Sequence, residues 1–291
     1  SIIGIHDHSY LIGSENMEQM ERNSQSSIRQ RLWRIRAKHV ILATGAIERP
    51  LVFAGNDIPG VMLCSAALEF YKLYGVSPGD RVVVLTNNDS AYSSVIELFN
   101  AGISVPLVID VREKSDGNLP LKAKKLGIRV EFSKAISKVI GKKKVKAVEL
   151  CSVVGEGAVL ETIICDSVLM SGGWTSTLNL WSHCGGKIKW DSKLNTLVPD
   201  ESFPSINEFG RSFITVLGSA NGKFWPSDLF ANIEKKLNIL YSELNLKKTK
   251  TIRYDIDKSI KGETSSIFCV SEAADENLKA KSFVDYQNDV K

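Results

Sequence analysis

At 291 residues, with 43% hydrophobic and 24% charged residues, the chain has a soluble globular composition and enough apolar material for one large or two small cores. A net charge of +4 is too mild to argue for a nucleic-acid partner, and much of the excess sits in Lys142–Lys144 and in "LKKTKTIR" (Leu246–Arg253), which read as solvated turn and linker. No apolar run approaches the roughly 18 residues that span a bilayer, and the start is not a signal peptide, so no membrane partner is expected.

The chain opens on "SIIGIHDHSYLIG", which alternates like a strand from Ser1 to Leu11 with His6 and His8 on one face. Two histidines around Asp7 lack a third ligand nearby, so a strand face outweighs a metal site and none is expected. The absence of an initiator Met, with the first residues already inside a strand pattern, suggests a piece of a longer protein. Glu15–Ser27 is polar and loop-like. Leu32, Trp33 and Ile35 mark a strand, and a turn leads into a second, buried strand from His39 to Ala43.

After a loop through "GNDIPG", helical periodicity runs from Cys64 to Tyr74 and stops at Gly75 and Pro78. A strand–helix–strand unit follows: strand 81–86, helix 89–101, strand 104–110. A helix near Asn118–Leu126 leads into short strands around 128–132, 134–140, 144–151 and 158–164. "ICDSVLMSGGW" is a buried strand running into a glycine turn, and "FITVLGSANG" repeats that design before a helix from about Ser227 to Leu244. Alternation of helix and strand that gives way to strands alone is the pattern of an α/β nucleotide domain carrying a β-rich insert.

Five cysteines (Cys64, Cys151, Cys165, Cys184, Cys269) form neither a C-x-x-C pair nor a zinc spacing, which fits a reducing, cytoplasmic environment. His183–Cys184 is the nearest reactive-looking pair. Between a helix and a glycine turn, packing explains it better than catalysis, and no catalytic residue is assigned.

Two turns carry the candidate chemistry. In "VILATGAIERP" an apolar strand runs into Ala43-Thr44-Gly45, the strand-to-turn motif of flavoproteins with two dinucleotide-binding domains, where the turn packs against the first nucleotide. In the second unit a G-x-G-x-x-G/A register would place its small residues at Thr86, Asn88 and Ala91, so only the last survives. Asn87 and Asn88 can still make the tight turn, because Asn tolerates positive φ better than most residues. Asp89 is a candidate N-cap that adds negative charge where an anion would bind. Asp110 closes the next strand about twenty residues on, where an acid holds a ribose 2′-OH; Arg112 beside it tempers that preference. Gly172-Gly173 reads equally as a turn beside the domain crossing or as packing. Gly218 ends the last strand without the Asp that usually follows it in flavin reductases.

Taken together, "RQRLWRIRAKHVILATGAIERPLVFAGNDIPGVML", "VVVLTNNDSAY", "SGGW" and "SFVDYQNDV" resemble the α subunits of heterotetrameric sarcosine oxidases, over nearly the whole chain and least in 130–165 and 246–280. The resemblance implies an incomplete two-dinucleotide-domain, Rossmann-like reductase fold. Residues 1–60 would be the remainder of the first domain, 61–165 the second, NAD-type domain, 166–245 a return to the first, and 246–291 a linker toward a folate-binding domain. It also implies a flavin-dependent oxidation of sarcosine, linked to one-carbon metabolism, with β, γ and δ subunits as partners. NAD would lie against Ala43, Thr44 and Gly45, FMN at a subunit interface, covalent FAD on the β subunit, and tetrahydrofolate in the further domain. Oxidation on the partner explains how the second turn could lose its glycines, since no hydride donor need dock there. A free-standing reductase would need a redox-active cysteine pair or an intact glycine turn. A related amine or opine dehydrogenase subunit and a non-catalytic nucleotide-binding scaffold stay open as alternatives.

Overall fold

The computed structural model describes residues 1–6, 9–16, 29–154, 157–247 and 262–266. His8 and the closing "SFVDYQNDV" lie outside the described residues. The chain forms two units: Ser1–Ala46 with the stretch that resumes at Ser176, and Ile47–Thr175 with residues 262–266.

The first unit begins with an antiparallel meander, β1 (Ile2–His6), β2 (Tyr10–Asn16) and β3 (Gln30–Arg36). The single strand expected over Ser1–Leu11 is therefore two, broken before Tyr10, where Ser9 takes a φ of 77°. β4 (Val40–Leu42) precedes the Ala43–Gly45 turn, and β5 (Ala46–Glu48) carries the chain into the second unit.

In the second unit, β6 (Val61–Leu63) leads directly into α1 (Cys64–Tyr74), closed by Gly75 at φ 64°. Helix and strand then alternate through β7 (Arg81–Thr86), α2 (Ser90–Asn100), β8 (Ser104–Asp110), α3 (Asn118–Lys125) and β9 (Val130–Phe132). The insert is an antiparallel meander of β10 (Lys134–Gly141), β11 (Val145–Ser152) and β12 (Glu161–Ile164). β13 (Ser167–Ser171) returns to the parallel sheet, whose order is β6-β13-β7-β8-β9.

Strand periodicity explains how this sheet is covered. Side chains two apart share a face, so Val82 and Val84 join Tyr92, Val95 and Leu98 of α2, while Val83 and Leu85 join Ile136, Val139 and Val148 of the insert. Helices thus cover one face and the β-meander the other. Every residue of β7 after Arg81 and every residue of β13 is buried, as the unbroken apolar run of β7 requires. Register decides where chemistry can occur: Thr86 stands level with both Asp110 and Ser171, so β7, β8 and β13 end together at one carboxyl edge.

β14 (Trp174–Ser176) carries the chain back and pairs with β5, so the two crossings form one ribbon. The first unit then adds α4 (Asn179–His183), the hairpin β15 (Ile188–Asp191) and β16 (Thr196–Pro199), β17 (Ile214–Val216), a 3-10 turn at Gly218–Asn221 and α5 (Pro226–Glu243). β17 runs parallel to β4, and their Val40, Leu42, Ile214 and Val216 build a core with Ile5, Trp181 and Phe213.

Candidate functional site

The nine candidate residues fall into two groups, one per unit. In the first, Ala43, Thr44 and Gly45 leave the carboxyl end of β4, and Gly218 leaves the carboxyl end of its parallel neighbour β17. Ligands of open α/β sheets bind at such edges. Ala43 and Thr44 are exposed. Gly45 has a φ of 77°, which an L side chain rarely adopts, and no atom lies within 4 Å of where its Cβ would stand. The turn is held from behind: Thr44 Oγ1 donates to Thr177 O at 2.6 Å, and Thr177 N donates to Gly45 O at 3.0 Å. Ser176 Oγ likewise donates to Ser219 O at 2.9 Å, fixing the Gly218 turn. The two turns are anchored while Ala43 and Thr44 keep an open surface.

The second unit gathers Asn87, Asn88, Asp110, Gly172 and Gly173 at the level edge of β7, β8 and β13, but it buries what it gathers. Asn87, Asn88, Asp89 and Asp110 are all at most 2% exposed. Asn88 Nδ2 donates to Ser171 O (3.1 Å) and Ser171 Oγ (3.0 Å), and Asn88 Oδ1 accepts from Ser90 N at 3.1 Å. Asn87 Nδ2 donates to Gly172 O at 3.3 Å. Asn88, rather than Asp89, therefore satisfies the start of α2; Asp89 stands at the N-cap position without capping it. Gly172 serves close approach, since its Cβ would stand 2.6 Å from Pro50 O, and Gly173 has a φ of 88°.

Asp89 turns instead to Arg112, which links it to Asp110. Arg112 Nη2 donates to Asp89 Oδ1 and to Asp110 Oδ2, both at 2.7 Å, and Nε donates to Asp110 Oδ1 at 2.9 Å. Tyr92 OH donates to Asp110 Oδ2 at 2.8 Å, and Ser115 Oγ to Asp89 Oδ1 at 2.9 Å. Burial alone would lower the Arg112 pKa; the hydrogen bonds and charges of Asp110 and Asp89 reverse this and hold it above its ordinary value. Burial, reinforced by Asp110, raises the Tyr92 phenol, which stays protonated as a donor. Two carboxylates around one guanidinium leave a formal excess of one negative charge at this edge. In the sequence, a spacing of two residues gives no sign that Asp110 and Arg112 pair with each other and with Asp89.

The group implied by the sequence resemblance is a dinucleotide, and the two turns differ in how they suit one. The first fits: it is exposed, glycine-formed and open. The second does not. Asp110 has both oxygens engaged by Arg112 and Tyr92, so it is not available to a ribose, and buried amides fill the turn where glycines would leave room.

Elsewhere, His6 and His183 meet edge to face at 4.6 Å, and His183 Nδ1 accepts from Ile5 N. Cys184 Sγ lies 3.0 Å from Ser205 Oγ. Among the described residues no group of three His, Cys, Asp or Glu side chains is placed to hold a metal ion. A cavity of about 740 Å³ in the first unit is lined by His39, Thr215, Glu201 and Lys236, and by none of the candidate residues. Among the described residues no helix is long and apolar enough to cross a membrane.

No family model matches the chain. Over 263 residues it is 30% identical to the sarcosine oxidase subunit alpha of Rhizobium meliloti (strain 1021), a match covering 90% of this chain and 24% of that protein. It is 34% identical over 209 residues to the corresponding subunit of Corynebacterium sp. (strain P-1), covering 69% of this chain and 21% of that one. The chain thus spans about a quarter of the length of the curated relatives it matches. Among solved structures, T. acidophilum thioredoxin reductase is similar with a TM-score of 0.56 at 17% identity, covering 80% of this chain and 74% of that one. The architecture is that of the pyridine-nucleotide–disulfide oxidoreductases, a Rossmann-like fold.

Proposed function

The chain belongs to the sarcosine oxidase α-subunit family, over the part of those subunits that it matches, and from this premise we propose that it is the nucleotide-binding part of an oxidoreductase complex that demethylates sarcosine to glycine. In this reading the first unit holds NAD against Ala43, Thr44, Gly45 and Gly218. The complex includes β, γ and δ type subunits, and oxidation of the amine takes place on a β-type subunit carrying FAD. An FMN lies at the interface, and tetrahydrofolate binds a further domain of the α subunit.

The observation that carries the reading is the open Ala43–Gly45 turn at the carboxyl end of β4, anchored by Thr177, with no atom within 4 Å of where a Gly45 Cβ would stand. When bound on the partner, a flavin supplies the two-electron acceptor for the N-methyl C–H bond. This chain's own residues bind and orient: the turn offers backbone groups to a dinucleotide, and Gly45 keeps Cβ atoms out of its path. The test is mass spectrometry of the nucleotides released on denaturing the intact complex. NAD together with FAD and FMN is expected; NADP in place of NAD, or a complex without flavin, would overturn the proposal.

A further inference from the structure

The second unit's turn does not suit a dinucleotide, yet it is engaged. Described residues 262–266, "GETSS", lie along it. Thr264 forms an antiparallel bridge with Asn88. Asp89 N donates to Glu263 O at 3.0 Å, and Ser265 N donates to Asn87 O at 2.9 Å. Glu263 N donates to Asp89 Oδ2 at 3.0 Å, and Asn87 Nδ2 donates to Ser265 O at 3.2 Å. Arg112 Nη1, the guanidinium edge left over from its two carboxylates, donates to Glu263 O at 3.1 Å.

We propose that this turn is a binding site whose occupant is the chain's own Gly262–Ser266 segment, seated at the strand-to-helix edge where folds of this type receive a dinucleotide's pyrophosphate, and that the pairing bars pyridine dinucleotides from the second unit. Each departure from the glycine pattern then has a use. Asn87 offers its carbonyl and its amide to Ser265. Asp89, which would repel a phosphate, accepts the Glu263 N–H. Arg112, which would favour a 2′-phosphate, is neutralised by Asp89 and Asp110 and serves a peptide carbonyl instead. Gly117 belongs to the same device, because a Cβ there would collide with Asp89 Oδ2. The formal excess of negative charge opposes a pyrophosphate, whereas the segment meets the turn through uncharged backbone N–H and C=O groups of Glu263 and Ser265. These contacts are the same whichever amine the complex oxidises.

The test is hydrogen–deuterium exchange on the complete complex, read on peptides covering 86–91 and 262–266. In the native protein, exchange in 262–266 should be at least about tenfold slower than in a free peptide of the same sequence, because Glu263 and Ser265 donate to the turn. Millimolar NADH or NADPH should leave both peptides unchanged. A Glu263→Pro/Ser265→Pro variant, which removes both donors from the segment, should speed exchange at Asp89. The flanking-bond pattern makes Asn88 and Thr264 a non-hydrogen-bonded pair, for which Cα atoms stand about 4.5 Å apart, within disulfide range. N88C/T264C should therefore crosslink under mild oxidation. Free-peptide exchange in 262–266 would overturn the proposal, as would NADH slowing exchange in 86–91 while freeing 262–266. Should the cysteine pair fail to fold, the native exchange pattern decides alone. Failure here is distinct from failure of the sarcosine reading, which is judged on released nucleotides.

Discussion

Arg112 is the side chain on which the second unit's polar edge depends. It compensates two buried carboxylates, Asp89 and Asp110, that have no other cation within salt-bridge distance among the described residues. Arg112→Ala leaves both uncompensated, and removal of one partner from a buried ion pair costs about 3–5 kcal/mol. The expected outcome is an unfolding free energy, measured by urea denaturation, lowered by that amount and seen as a lower midpoint, with Arg112→Lys failing to restore it, because one ammonium cannot reproduce the fork to Asp89, Asp110 and Glu263 O. An unchanged midpoint would show that the triad contributes no net stability. Cys165 supports a second prediction. Burial, helped by Asp166 and opposed by Arg81, pushes its thiol up to about 12. The unfolded thiol ionises near 9 while the folded one stays protonated, so the stability tied to this group is complete below pH about 9 and is lost as pH rises toward 12. A Cys165→Ala variant should show a shallower fall in stability across that window, measured by denaturation at each pH.

At the scale of elements, what the sequence disclosed tracks the length of the pattern. α1 matches Cys64–Tyr74 because an eleven-residue pattern repeats often enough to set a helical period, and β7 matches 81–86 because a short unbroken apolar run bounded by turn residues marks a buried strand. β5, β6 and β14 have three residues each, too few to show any period, and their pairing is set by the sheet and by the crossing rather than by local sequence. The Ala43–Gly45 turn was legible because a strand, a small residue and a positive-φ glycine are local features. The binding of residues 262–266 was not: it runs through backbone groups that every residue carries, to partners some 175 positions away. The asparagines at the turn looked like a loss of function from sequence alone, whereas they make a buried network. Asn88→Gly should therefore not open a nucleotide groove. It removes a donor shared by Ser171 O and Oγ, and should cost about 1–3 kcal/mol, the penalty for leaving buried partners unsatisfied. Calorimetry checks the cost. Exchange slowed in 86–91 by added NADH in that variant would contradict the account of the turn.

For the molecule as a whole, the division into two units separates an open turn from a filled one. Sarcosine oxidation needs a flavin ring against the N-methyl carbon and a cation for the substrate carboxylate. The buried cation at the second turn, Arg112, is already shared between two acids. We therefore predict that the 291-residue chain, supplied with FAD, FMN and NAD, produces no peroxide or formaldehyde from sarcosine, and that activity appears on reconstitution with a β-type subunit. Turnover by the chain alone would refute the assignment of catalysis to the partner.

The segment paired with Asn87–Asp89 also changes how the second unit answers to its surroundings. A fold stabilised by a diffusing ligand gains RT ln(1 + [L]/Kd), so it weakens whenever supply runs short. A tethered occupant meets its site at an effective concentration on the order of millimolar, fixed by the connecting chain and unaffected by dilution. Occupancy of the second unit's turn is in that sense set within the chain, and the stability it contributes is uncoupled from the cell's nucleotide pool.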